Sequence, residues 1–387
     1  MRETQVKINA KVIDSKAHDQ IKLMAKSPAF HGLISIMPDV HPGMGAGMGA
    51  VIGFTGKFKN CVIPSVVGVD IGCGVTSYPL GKDDIDFTEL DNYIRETIPK
   101  GFKSNKDEKF LKDLEPHQRK MVVDKCDQIV KEFYANTWRD YTPPILQIGT
   151  LGGGNHFIEI DADEEGNKFL TIHSGSRNLG QKVARWFQGE AKKFHIALPD
   201  NRAANDLEYL PMEYGGNDYL KALYLAQEYA SLNRMVMIIR ILKFFNMRYT
   251  DSEKIESVHN YISPRDNIVR KGAISAHKGE RVIIPLNMRD GVIIGVGKGN
   301  SSYNYSAPHG AGRVFGRNVM KQQLQDGVVT MEQFNEEMKD VFSTSICKGT
   351  IDESPFAYKS LDDIKEFLEE TVDIERIMKP IYNLKAT

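Results

Sequence analysis

The sequence predicts an α+β fold in which a β-rich core carries the chemistry and helical blocks are inserted into it. Short apolar runs broken by glycine dominate residues 1–80, 145–180 and 255–315, and charged, helix-like blocks separate them. The side chains able to do chemistry gather in the glycine-rich segments. The 387 residues, 41% hydrophobic and 26% charged, have the balance of a soluble globular protein. They are read as a single domain over 1–387 with helical insertions at about 83–138 and 196–250.

Along the chain, "VIGFTG" and "CVIPSVVGVDIGCGVTSY" read as strands. "DFTELDNYIRETI" and "HQRKMVVDKCDQIVKEFY" read as helices. "IEIDADEEGNKFLTIH" reads as a hairpin, since two alternating runs flank an acidic turn containing glycine. A helix is expected at 181–195 and a loop at 196–216, punctuated by Pro199, Pro211 and Gly215-Gly216. Over 218–247 a long helix is expected, with Leu220, Leu223, Ala226, Ala230, Met237 and Ile241 mostly at three- and four-residue steps. Strands return over 255–315, and helices are expected at 330–343 and 361–378.

No run approaches the ~18 apolar residues of a membrane span. The N-terminal "MRETQVKINAKV" alternates like a strand and lacks the apolar core of a secretory signal. Cys61, Cys73, Cys126 and Cys347 form no CxxC pair, so a reduced, cytoplasmic protein is expected. A net charge of -1 argues against nucleic-acid binding through bulk charge and leaves room for a local basic groove. Arg177, Arg313, "KKFH" at 192–195 and the Asn233-Arg234 pair are the candidates for such a path.

"GVDIGCGV" presents Asp70 and Cys73 from one tight loop, able to reach one metal or bridge two; a turn around a buried cysteine would look the same. His156 follows the three glycines of "GTLGGGNHFIE", His173 opens "HSGSR", and His259 stands in "SVHNY". Together the five offer O, S and N donors in excess of one tetrahedral ion, and no paired CxxC motif argues for a closed structural zinc site. Donor softness leaves Mn²⁺, Fe²⁺, Co²⁺ and Zn²⁺ open. The loop after His173 offers backbone N–H groups, Ser174, Ser176 and Arg177, which suits a phosphate. His309, between Pro308 and Gly310 and followed by Arg313, could attack phosphorus, with ordinary loop histidine as the alternative. Neither GxxxxGK[ST] nor a strand-GxGxxG-helix unit is present.

Taken together, "MPDVHPGMGAGMGAVIG", "GVDIGCG", "GTLGGGNHFIE", "HSGSRNLG", "HNY", "RKGA" and "APHGAGR" resemble the RtcB family of RNA-splicing ligases, in order, from about residue 35 to the C-terminus. The resemblance implies an RtcB-like fold and a ligase that joins a 2′,3′-cyclic phosphate or 3′-phosphate RNA end to a 5′-hydroxyl end. It implies GTP and two Mn²⁺ ions as cofactors, RNA ends as partners, and no membrane. By motif, His309 would be the guanylylated nucleophile, and Asp70, Cys73, His156, His173 and His259 the metal ligands, with the cysteine bridging. Asn155, Glu159, Asn260, Met288, Gly310, Ala311, Gly312 and Lys385 would surround GTP. "PLNMRDG" stands where many members carry Gly-Ser-Met-Gly, so Asn287 and Arg289 would take over that turn's contacts. Asp39, His41, Ser174, Arg177 and Arg313 would meet RNA ends or phosphates. The glycines of "DVHPGMGAGMG" would give the RNA backbone room in the cleft. Two other readings are a metal-dependent cyclic phosphodiesterase or phosphoesterase without ligation, and a non-catalytic RNA-binding protein.

Overall fold

The computed structural model describes residues 4–43, 49–134, 142–198 and 206–386. Residues 44–48 of the glycine-rich stretch, 135–141 at the end of the first helical block and 199–205 of the loop with Pro199 lie outside the described residues.

The fold is α+β. Seven strands form one sheet in the order Arg281–Pro285, Val292–Gly297, Val372–Lys385, Phe157–Ala162, Lys168–Ser174, Gly74–Gly81, Ile255–Val258, with every neighbouring pair antiparallel. The edge strands approach each other, and the Ile283 amide donates to the Ser257 hydroxyl at 3.0 Å, so the sheet curls into a near-barrel. Val75, Ile255, Ile283, Val292, Ile294 and Met378 form an apolar plug within it. A second sheet joins Gln5–Ile8, Phe30–His41, Ile52–Phe58, Ile268–Lys271 and Asn260–Ile262.

Helix Gly216–Leu242 is the central spar. Tyr219, Ala222, Leu223 and Ala226 enter the largest apolar cluster. Met237, Ile238 and Ile241 pack with Ile158, Ile160, Leu170 and Ile172 of the seven-stranded sheet. From Leu232 to Leu242 the helix is buried on every side, so the one-sided stripe expected from its spacing describes only its first half. Asn233 and Arg234, candidates for an RNA path, are correspondingly buried scaffold. The Arg234 guanidinium donates to the carbonyls of Gly72 (2.9 Å) and Ser174 (2.7 Å) and pairs with Glu256 at 2.8 Å. The "KKFH" candidates are also engaged locally: Lys192 pairs with Asp206, Lys193 with Glu190, and His195 accepts from the Tyr209 amide.

The hairpin forms as expected, pairing Phe157 with His173 and Ala162 with Lys168. Three expectations need correction. Within "CVIPSVVGVDIGCGVTSY", read as strands, Pro64–Val67 is a single helical turn opened by Pro64, and the strand resumes only at Gly74. Residues 15–26, read as part of a β-like block, form helix Ser15–Lys26, started by Asp14 accepting from the Lys16 amide and buried through Ala17, Gln20, Ile21 and Met24. The closing helix ends at Glu369, and Val372–Lys385 is a long strand inside the seven-stranded sheet. Its pairing on both sides outweighs the helical spacing of Ile374, Ile377 and Met378, and Pro380 sits where the register shifts. None of the described helices is long and apolar enough to cross a membrane.

The register places the site. Inward-facing positions line up as His173–Phe157–Lys385 and, one step deeper, Thr171–Glu159–Asn383.

Arg234→Met should destabilise the protein by about 3–5 kcal/mol, because it strands the Glu256 carboxylate. Burial raises the Glu256 pKa, but Arg234 and Lys254 outweigh it and bring the group from 4.5 to about 2. That stabilisation is full above the unfolded value and is lost as pH falls toward the folded one. Urea denaturation at neutral pH and near pH 3 should therefore show a wild-type loss on acidification that shrinks in Arg234→Met.

Candidate active site

Gly72, at φ +69°, turns the chain between Asp70 and Cys73, and a Cβ there would come within 2.9 Å of Ala230 and Gln227 on the central helix. The His259 amide donates to the Cys73 carbonyl at 2.9 Å, which sets these two ligands side by side. The Cys73 Sγ lies 3.1 Å from His173 Nε2 and 3.5 Å from His156 Nε2. His173 Nε2 is 3.3 Å from His259 Nε2, and Asp70 Oδ2 is 3.6 Å from His156 Nε2.

These donors form two groups, Asp70–Cys73–His156 and Cys73–His173–His259, each with its donor atoms within 4.8 Å of one another. Cys73 belongs to both, an arrangement that fits two cations sharing one sulfur. His156 Nδ1 lies 2.8 Å from the Leu151 carbonyl, a contact that fixes the ring with Nε2 toward the thiol and Asp70. Burial, with neighbouring positive groups, holds the His173 and His259 pKa values well below the usual range and keeps both imidazoles neutral. Burial raises that of Asp70, but the His156 hydrogen bond and charge outweigh it and the carboxyl ends low. Burial and the Asp70 charge push the Cys73 thiol up. The set is therefore matched to a divalent cation that replaces the thiol proton.

His309 stands next to this group, its ring 4.8 Å from that of His259. Strand Ser306–Pro308 carries it, paired with Ala273–Ser275. Its Nδ1 is 2.6 Å from Oδ2 of the fully buried Asp39. Gly312, at φ +77°, lets the loop close on Asp39, where any Cβ would sit 2.8 Å from the Asp39 Cα. An Nδ1–H donated to Asp39 leaves the Nε2 lone pair free.

A cleft of about 510 Å³ joins the two arrangements. Asp70, Asn155, Glu159, His173, His259, Asn260, Asn287, Met288, His309 to Gly312, Arg313, Lys385 and His41 line it. Cys73 and His156 lie behind it and Asp39 supports His309 from below. At one end Lys385 Nζ sits 4.8 Å from the Phe157 ring centre and 3.6 Å from Glu353 Oε2. Beside it, Glu159 accepts from Asn383. Burial raises both Glu159 and its neighbour Asp161; the hydrogen bond from Asp161, then Asn383 and Lys385, offset part of the rise at Glu159, while the Glu159 charge pushes Asp161 up further, so Asp161 keeps the proton.

Other sequence candidates stand elsewhere. Ser174 is fully buried, donating to the Leu151 carbonyl at 2.7 Å and accepting from Asn233 at 3.1 Å, so no phosphate can use it. Arg289 does not line the cleft; it grips Asp290 at 2.8 and 2.9 Å and pairs with Glu337. Asn287 turns its side chain into the same turn, bonding Asp290. Arg177 ties the Gly101 carbonyl (2.7 Å) to Thr150 (3.0 Å) outside the cleft wall. Arg313 bonds the Tyr358 hydroxyl at 3.1 Å and approaches Glu353 at 3.4 Å. Sequence reasoning missed Phe157, Lys271, Arg317 and Tyr358, which also line the cleft. Lys271 stood in the quoted "RKGA" without a role.

The arrangement suits cation-assisted chemistry at a phosphate. A family model described as "tRNA-splicing ligase RtcB" matches residues 20–386. "RNA-splicing ligase RtcB" of Escherichia coli strain K12 is 31% identical, covering 97% of this chain and 95% of that protein. "tRNA-splicing ligase RtcB" of Methanococcus maripaludis is 28% identical over 91% of this chain and 87% of its own. "RNA-splicing ligase RtcB homolog 1" of Entamoeba histolytica is 27% identical, with 90% and 80% covered. The chain belongs to the RtcB family.

Titration of metal-free protein with Co²⁺ should reach two equivalents and develop a sulfur-to-cobalt charge-transfer band. Cys73→Ser should remove that band and weaken both sites by roughly 10-fold or more. His156→Ala should leave one strong equivalent with the band intact. A single equivalent in the wild type would exclude the shared-sulfur pair.

Proposed function

We propose that the protein is a GTP- and Mn²⁺-dependent RNA ligase, a single catalytic domain acting in the cytoplasm. It would join 2′,3′-cyclic phosphate or 3′-phosphate RNA ends to 5′-hydroxyl ends, in RNA repair or tRNA splicing. The printed names of its relatives, RNA- and tRNA-splicing ligases, support the reaction class. The observation that carries the reading is the His309–Asp39 hydrogen bond of 2.6 Å, set in the same cleft as the Cys73-centred donors.

His309 Nε2 attacks the α-phosphorus of GTP. The N–P bond forms as the bond to the bridging oxygen of the β-phosphate breaks, and pyrophosphate leaves. Asp39 fixes the imidazole tautomer and balances the positive charge that develops on the ring. The GMP then passes to an oxygen of the RNA 3′-phosphate, which frees His309. The 5′-hydroxyl oxygen attacks that activated phosphorus, and GMP departs. Divalent cations held by Asp70, Cys73, His156, His173 and His259 would draw charge off the phosphate oxygens and align them.

Glu159 would accept from a guanine N–H, and Lys385 would donate to its carbonyl oxygen; both line the cleft. Asn155, Asn260, Met288 and the backbone from Gly310 to Gly312 line the cleft around them and would surround the nucleotide, and Arg313 and His41, also in the lining, would meet phosphates. A phosphoesterase would need only the cation ligands; the oriented His309 and the buried Glu159–Lys385 end of the cleft would be idle in it.

Incubation with α-labelled GTP and Mn²⁺ should leave label on denatured protein that is stable in base and lost in acid. His309→Ala should take none. Asp39→Asn, which offers the wrong tautomer, should slow labelling by about 10²–10⁴-fold. In His309→Ala, opening of a cyclic phosphate should persist while sealing stops; sealing by that variant would overturn the assignment.

A further inference from the structure

The turn 99–103 is pinned to the loop that presents His156. The Leu151 amide donates to the Pro99 carbonyl at 2.9 Å, and the Gly101 amide to the Gly152 carbonyl at 2.7 Å. Arg177 closes the joint from the Gly101 carbonyl. Asn105, held by Arg240 at 3.0 Å, fastens the following residues by donating to the Ile148 carbonyl at 2.8 Å. On this fixed turn the Phe102 ring is fully exposed, at 110%. Phe102 thus gains nothing from burial. The two lysines that follow it in the sequence, Lys103 and Lys106, are both exposed; Lys106 adjoins Asp107, whose carboxylate pairs with Lys109. The local charge is positive although the whole chain carries a net -1.

An outward aromatic ring on a fixed turn, followed by two exposed lysines, matches a single-stranded nucleic acid, whose bases stack and whose phosphates need cations. We propose that Phe102, Lys103 and Lys106 form a docking platform for a single-stranded RNA end. One base stacks on the Phe102 ring and the neighbouring phosphates meet the two lysines. RNA then approaches from the His156 side of the donor group, while His309 works from the His259 side. The proposal rests on the RNA-ligase reading and adds to it a surface outside the cleft.

The test is fluorescence anisotropy of the full chain with a labelled single-stranded RNA of about ten nucleotides ending in a 3′-phosphate, without GTP, over a range of KCl. Phe102→Ala should weaken binding about 5- to 100-fold, and Phe102→Tyr should restore most of it. Lys103→Gln with Lys106→Gln should lower the salt slope by about 0.7 per lysine. Labelling of His309 by GTP should be unchanged in all three. If Phe102→Ala binds RNA within twofold of a wild type that itself binds RNA and takes label, the platform is overturned and the surface serves another partner, such as a protein. A wild type that takes no label overturns the ligase reading, and the platform with it.

Discussion

One guanidinium ties the ligand-bearing segments to the core. Arg234, on the central helix, holds the carbonyl of Gly72 next to Cys73 and that of Ser174 next to His173. Through Glu256 and Thr76 it also grips the strand leading to His259 and the strand leaving Cys73. A buried arginine with all its directions used is a geometric jig: each hydrogen bond has a fixed angle, so the segments it touches have little freedom to shift. Three of the five cation donors therefore owe their mutual distances to a residue that touches none of their side chains.

The second constraint is alternation. In a strand only every other side chain faces the barrel interior, so the hairpin gives the site Phe157, Glu159, Thr171 and His173 while Ile158, Ile160, Leu170 and Ile172 hold the outer face to the helix. The interior then grades from an apolar plug to a polar mouth. Charge there is rationed: Glu159 and Asp161 share the neighbourhood of one ammonium, and only the former stays the stronger acid. The same dry surroundings keep the histidines neutral and available as donors.

Much of this was legible. The hairpin was readable from strict alternation around an acidic turn, and the donor set from glycine loops that each present one unusual side chain. Direction in space was not. "HSGSR" shows that Ser174 has a hydroxyl, not that it points at Asn233; "NMRDG" does not reveal that Arg289 folds back on Asp290. Asp39 reads from the sequence as an RNA-end contact; in the structure it is fully buried, and its bond to His309 joins segments far apart in the chain. Residues 361–378 read as one helix, yet only Leu361–Glu369 is helical; from Val372 onward what decides the matter is the two waiting partner strands, which no local pattern records. Helix Ser15–Lys26 had a readable cap and spacing, and was lost inside a block judged by its overall β texture.

That strand has a bearing on how the molecule comes into being. Val372–Lys385 lies between Val292–Gly297 and Phe157–Ala162, so a late-synthesised segment must slot between partners made much earlier. Until it arrives, two strand edges stay unpaired and the barrel has a slit along its length. Lys385, which completes one end of the cleft, and Asn383, which holds Glu159, travel on the segment that seals the slit. A nascent chain would thus lack the Lys385 end of its cleft until this strand pairs with Phe157–Ala162.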